Sequence, residues 1–189
     1  MESRGSGDRQ AILDAALAEV VAKGIDEFTV EGVAGRAGVD PGVITQTRGD
    51  RRVLLLEAQL GGAAQRVPIP DTGSLRDNLR ALMAAYAELA KTAHGRRWVH
   101  RFVAAGGDAD LSEVRSDFWR VRIDDLVTVL RRAGERGELH DGVDPYEAMR
   151  MFAGATLFDI VVADTPIRPD YIVQMLDIFV RGVSKNPAS

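Results

Sequence analysis

The chain has 189 residues, 46% hydrophobic and 28% charged, a formal net charge of −4 and no cysteine. That is ample material for a core, in one compact unit or in a small domain joined to a larger one. The composition excludes a disulfide framework and a thiolate metal site, the charge speaks against a generally cationic nucleic-acid coat, and no stretch approaches the roughly 18 apolar residues of a membrane span.

The polar start, MESRGSGDRQ, lacks a signal-peptide apolar run, so a cytoplasmic chain with no membrane partner is expected. β-branched alternation is scarce and the 3.6-residue period dominates, which predicts an all-α fold. After a short arm at residues 1–8, Ile12, Leu13, Ala16, Leu17, Val20 and Val21 make one apolar face. Gly24 ends that first helix as a left-handed cap, with Ile25 packing back on it. Thr29 caps a short second helix carrying Val30, Val33, Ala34 and Ala37, and Gly38 ends it. Asp40-Pro41 places a side-chain cap before a proline at the first helical position, the start of a third helix. Asp50 caps a fourth, expected over residues 50–61. The segment RVPIPDTG, residues 66–73, is the clearest break. Helices are then expected near residues 74–93, 98–105 and 112–136. Asp144-Pro145-Tyr146-Glu147 repeats the cap-and-proline device, and a last helix runs near residues 169–183.

The second and third helices, about three residues apart around Gly38, have the dimensions of a helix-turn-helix, whose second helix enters the major groove. An ordinary helical hairpin shares that spacing. The surrounding pattern adds specificity: RQAILDAALAEVVAKGIDEFTVEGVAGRAGVDPGVI resembles the first three helices of the TetR family of transcriptional repressors. The resemblance is close over residues 9–60 and weaker beyond, where RAGERGELHDGVDP and PIRPDYIVQMLDIFVRGV resemble the linker and last helix of one large branch. It implies an N-terminal three-helix helix-turn-helix DNA-binding domain with its arm, residues 1–52, and a C-terminal helical ligand-binding and dimerisation domain, residues 53–189. It further implies a homodimer on pseudo-palindromic double-stranded operator DNA, released by a small, partly apolar effector.

Carried onto this chain, the resemblance places DNA contacts at Thr29, Pro41, Gly42, Val43, Thr45, Gln46, Thr47, Arg48, Arg51 and Arg52, with Arg4 and Arg9 on the arm. After Gly42 the family usually shows a Thr, an aliphatic residue, a Tyr, a variable polar residue, an aromatic or His, and a Phe, where this chain has Val43, Ile44, Thr45, Gln46, Thr47 and Arg48. Thr45 stands where a phosphate-reaching tyrosine is usual, and Arg48 where a buried phenylalanine is usual. Gln46 remains able to make a bidentate contact to adenine, and Thr45 and Thr47 to bond phosphate or touch a thymine methyl. Arg48, Arg51 and Arg52 gather charge where a phosphate could meet the amides opening the fourth helix; a solvated basic face is the plainer explanation of Arg51 and Arg52. Residues 1–52 hold seven Lys or Arg against nine Asp or Glu, a balance less basic than a DNA-binding module usually shows. The alternative is therefore a related dimer with weakened or lost operator binding, serving as a small-molecule-binding or protein-interaction module.

In the C-terminal half, the resemblance implies that the last two helices pair with their copies in a second subunit. The interface residues expected are Met149, Phe152, Ala153, Thr156, Tyr171, Met175 and Phe179, although such stripes also pack within one chain. The middle helices would enclose a ligand among Met83, Tyr86, Trp98, Phe102, Phe118, Trp119, Arg122 and Phe158; each aromatic could equally be plain core. Arg122 is the informative member, because a buried guanidinium there requires an acidic partner (Asp125, Asp159 or Asp164) or an anionic ligand.

Catalysis is not expected. Asp71-Thr72-Gly73-Ser74 matches the aspartic-protease tetrapeptide, but Ser74 with Asp77 three residues on reads as a helix start. His94, His100 and His140 form neither an i, i+4 pair nor a HExxH motif, and no metal site or cofactor is expected.

Overall fold

The computed structural model describes residues 2–48, 50–103, 109–161 and 167–185. Among them the regular elements are helices: α1 (Glu2–Lys23), α2 (Val30–Ala37), α3 (Pro41–Arg48), α4 (Arg51–Arg66), α5 (Leu75–Lys91), α6 (Ala93–Val103), α7 (Ala109–Glu135), α8 (Pro145–Val161) and α9 (Pro169–Val183). The fold is all-α, as the periodicity predicts. Packing gathers the chain into two units, Met1–Gln65 with Arg97–Trp119, and Arg66–Arg96 with Arg120–Ser189. By packing, most of α4 therefore groups with the helices before it.

In the first unit, α1 buries Ile12, Ala16, Leu17, Val20 and Val21 and packs against α2, which packs against α3. Gly24, at φ 92°, donates its N–H to the Val20 carbonyl at 2.8 Å, and Ile25 and Phe28 then fold under the helix with almost no exposure. A Cβ is disfavoured at that φ, so glycine lets the chain reverse at no steric cost. Thr29 accepts a hydrogen bond from the Gly32 N–H at 3.1 Å, opening α2. Gly38, at φ 69°, closes it with an N–H to the Ala34 carbonyl. Asp40 Oδ1 accepts from the Gly42 N–H at 2.8 Å across Pro41, and Asp50 Oδ1 from the Arg52 and Val53 N–H groups at 2.9 and 3.1 Å. Each of these caps satisfies donors that a helix start leaves orphaned.

Two boundaries differ from expectation. The arm expected at residues 1–8 is helical from Glu2, because extending a nucleated helix adds one hydrogen bond per residue fixed. The fourth helix passes the Gly61-Gly62 pair and ends at Arg66; Gly62 and Ala63 are buried, and that packing offsets a glycine cost of about 1 kcal/mol.

In the second unit, α5 starts at Ser74, which accepts from the Asp77 N–H at 3.1 Å and donates to its carboxylate at 3.0 Å. Glu138 adds a carboxylate that accepts from the Leu75 N–H at 2.8 Å. α5 packs against both α8 and α9. Leu79, Leu82 and Met83 of α5, Leu126 and Leu130 of α7, Met149 and Phe152 of α8, and Leu176 and Val180 of α9 are all buried. The turn after α7 is pinned to the end of α9 by the His140 N–H on the Val183 carbonyl and the Lys185 N–H on the Glu138 carbonyl, each 2.8 Å. α6 begins at Ala93, earlier than expected, because Thr92 caps it by accepting from the Gly95 N–H at 2.9 Å.

Candidate functional site

Among its described side chains, α3 turns Ile44 inward. Ile44 has no exposure and anchors the helix, whereas Val43, Thr45 and Gln46 are exposed, Val43 by 46%. A helix of this length, held by a capped partner and presenting its next residues to solvent, suits insertion into a groove. Thr45 Oγ donates to the Pro41 carbonyl one turn back, at 3.2 Å, so reaching a phosphate requires its hydroxyl to leave that bond. Thr29 is occupied as a cap and Pro41 opens the helix; Gly42 lies so close to Asp40 that an added Cβ would meet its carboxylate at 2.8 Å.

The same unit holds a buried ion cluster between α1 and α2. Glu19 of α1 is 1% exposed and meets Lys23 Nζ at 2.7 Å and Arg36 Nε of α2 at 2.5 Å. Burial pushes its carboxyl pKa up, but the hydrogen bonds and charges of Lys23 and Arg36 outweigh this and hold it below the usual carboxylate value. Gly32 makes the room, since a Cβ there would sit 2.2 Å from Glu19 Oε1. Arg51 donates to the carbonyls of Ile25 and Asp26 at 3.2 and 3.1 Å, tying the head of α4 to the loop after α1. Arg9 pairs with Glu57, and Arg52 with Glu113.

The same unit carries a second polar link. Trp98 Nε1 of α6 donates to Gln59 Oε1 of α4 at 2.7 Å, with both side chains buried. Phe118 and the half-buried Trp119 stack edge to face, centroids 5.1 Å apart. In the other unit, Met83, Tyr86 and Arg122 are buried together with Thr156, whose hydroxyl lies 3.1 Å from Met83 Sδ. On its outer side α8 and α9 leave a groove of about 730 Å³, lined by Met151, Ala155, Tyr171, Ile178 and Phe179 among others. Met151 is 73% exposed and Ile178 75%, with Phe158 and Val173 also bare.

Residues 69–179 match the family described as the tetracyclin repressor-like C-terminal domain. The chain belongs to the TetR family of transcriptional regulators. It is 25% identical over 190 residues to the uncharacterized HTH-type transcriptional regulator YdeS of Bacillus subtilis (strain 168), covering 98% of this chain and 94% of that one. Over 141 residues it is 28% identical to the HTH-type transcriptional regulator AqdR of Rhodococcus erythropolis, covering 75% of this chain and 68% of that protein. The crystal structure of the TetR family regulator SCO0332 shares the fold, with a TM-score of 0.75 at 24% identity, covering 93% of this chain and 98% of that one.

In this TetR-family chain the expected site residues fall in very different surroundings. Of the DNA-contact set, Val43, Thr45 and Gln46 share the open side of α3. Arg9, Arg51 and Arg52 are engaged inside their own unit, and the side chains of Arg4, Thr47 and Arg48 lie outside the described residues. The ligand set is split: Trp98, Phe118 and Trp119 belong to one packing unit, Met83, Tyr86 and Arg122 to the other. The Phe102 side chain is outside the described residues.

Two groups of expected residues differ in exposure. Phe158 is 56% exposed, whereas Met83 and Tyr86 are buried. Met149, Phe152, Ala153 and Thr156 are buried within the protomer, and Met175 is 9% exposed, because α8 uses that stripe against α5 and packs Phe152 on Phe179 at 5.1 Å. Phe152 and Met175 nevertheless line the groove between α8 and α9, beside Tyr171 and Phe179, which are half-open. Glu19 and Gln59 were not singled out by sequence. Each occupies a position of the apolar 3.6 period, which is the one signal that marks a buried polar side chain.

Proposed function

We propose that the chain is a homodimeric, cytoplasmic transcriptional repressor that reads an inverted-repeat operator with α3 and leaves it when a small, partly apolar effector binds residues 53–189. The observation that carries this reading is the capped α2–α3 pair with Val43, Thr45 and Gln46 turned to solvent in a TetR-family chain. A single short helix makes few phosphate contacts, so twofold pairing gives the required grip on two half-sites. The bare Met151, Phe158, Val173 and Ile178 are the surface that such pairing would bury. The Gln59–Trp98 bond supports α4 as the lever, since a shift of α6 would act on the helix that follows the reading head. Effector control then requires that the ligand prefer one arrangement of the reading heads over the other.

The test is duplex binding at several salt concentrations, using the inverted repeat nearest the chain's own gene. A repressor prefers that duplex to random sequence by about a thousandfold or more, with affinity falling steeply as salt rises. Equal affinity for all duplexes, or a chain that stays monomeric, overturns it. One observation favours the alternative of a dimer without tight operator binding: Arg9, Arg36 and Arg52 are all paired with carboxylates.

A further inference from the structure

Two ionisable side chains with a formal charge are buried among the described residues, Glu19 and Arg122. Glu19 has two cations on it. Arg122, 3% exposed, has no carboxylate within ion-pair distance among the described residues. Its Nη2 donates to the Val67 carbonyl, and its guanidinium acts on the Tyr86 phenol. Both of those partners are neutral oxygens. Of the three acids that the sequence offered as counter-charges, Asp125 is exposed, Asp159 is half-buried and its charge acts on the Tyr171 phenol, and Asp164 lies outside the described residues. Carbonyl and phenol oxygens solvate a guanidinium but leave its charge unbalanced, and an unbalanced buried cation costs several kcal/mol.

We propose that Arg122, with Tyr86 beside it, is the anchor for the single negatively charged oxyanion head of an otherwise apolar small molecule. The inference rests on the reading that this part of the chain takes an effector, and it adds the effector's chemical class: an apolar monocarboxylate or equivalent monoanion. One guanidinium balances one negative charge and offers paired donors to a planar carboxylate. Burial raises the Tyr86 pKa, an effect that Arg122 only partly opposes, so the phenol stays protonated near neutral pH and can donate as well. Met83, one turn before Tyr86 on α5, is packed on Thr156 of α8, and its unbranched thioether is the side chain there most able to shift and admit an apolar body.

The test uses the full-length protein without DNA. Sodium decanoate and sodium 2-naphthoate are compared with decan-1-ol and 2-naphthol by thermal shift and calorimetry, on the native chain and on Arg122→Met, Arg122→Lys and Tyr86→Phe. The expected result is that at least one acid raises the melting temperature while its neutral counterpart at equal concentration does not. Arg122→Met weakens that acid by about tenfold to a hundredfold, as loss of a hydrogen bond to a charged group predicts. Arg122→Lys loses less, and Tyr86→Phe loses a few-fold. Should Arg122→Met fail to fold, the acid-against-alcohol comparison and the Lys and Phe variants still decide. No shift with either acid, equal shifts from acid and alcohol, or undiminished acid binding by Arg122→Met overturns the assignment. Operator binding with no preference for acids would defeat this inference alone; acid binding with no preferred duplex would defeat the repressor reading alone.

Discussion

The unit that holds α1–α4 and the unit that holds α8–α9 are joined internally by different forces. In the first, neighbouring helices are stitched by polar contacts: Glu19 to Lys23 and Arg36, Arg51 to two carbonyls, Arg52 to Glu113, Gln59 to Trp98. In the second, α5, α8 and α9 meet mainly through Leu79, Met149, Phe152, Leu176 and Val180, with the Arg76–Asp177 ion pair between α5 and α9, and apolar surface is left over at Met151 and Ile178. Polar stitching fixes a reading helix at a definite geometry and makes it sensitive to pH and salt. Apolar packing carries no titrating charge and is not screened by salt, and the surplus calls for a partner.

The comparison breaks most visibly at the outer face of α8 and α9. If that face is the dimer surface, Met151→Asp with Ile178→Asp places two charges in it. The dimer constant should then weaken by about thirtyfold to a thousandfold, the range of hot-spot losses of 2–4 kcal/mol, as read by sedimentation equilibrium. An unchanged dimer would assign the face another role.

The polar unit is next. Glu19→Gln removes a buried carboxylate from two cations that are themselves partly exposed, so a loss of about 1–3 kcal/mol is expected in denaturant unfolding. The pKa of Glu19 is depressed in the folded chain, so its contribution is complete above the unfolded carboxylate value and is lost as pH falls through the lower folded value. The native chain should lose stability in that acid window, and the Gln variant should lose less. Identical pH profiles would remove the cluster from the account. Gly32→Ala should mimic part of this loss, because its Cβ displaces the same carboxylate.

On the reading surface, Gln46→Ala should cost about 1–3 kcal/mol of base discrimination at one operator position while leaving random-duplex affinity nearly unchanged. A uniform loss on every duplex would make Gln46 a backbone contact. The smallest effect belongs to the second unit: Ser74→Ala should lower stability by about 1 kcal/mol through loss of the α5 cap, measured by thermal unfolding.

Helix starts and stops were legible because they are local. Thr29, Gly38, Asp40-Pro41, Asp50, Ser74 and Asp144-Pro145 act within three or four residues of themselves, and the structure uses each as a cap or a turn. The same locality governs the Asp-Thr-Gly-Ser tetrapeptide, in which Asp71 is exposed and near Arg132 while Ser74 begins a helix, as its spacing to Asp77 predicts. The faces of α8 were not legible in that way. Its apolar residues extend around more than one side, so periodicity could not tell that Met149 and Thr156 are buried inside the protomer while Met151 is bare.

By itself, then, the sequence determined the all-α class, the order of the helices, the capped α2–α3 pair and the family, because all of these follow from spacing and short-range hydrogen bonding. Tertiary structure alone decided which charges are buried and who answers them. Glu19 and Arg36 are 17 residues apart, and Arg122 and Val67 are 55 apart. A charge's burial depends on what the fold brings over it from distant parts of the chain, and no local pattern encodes that cover.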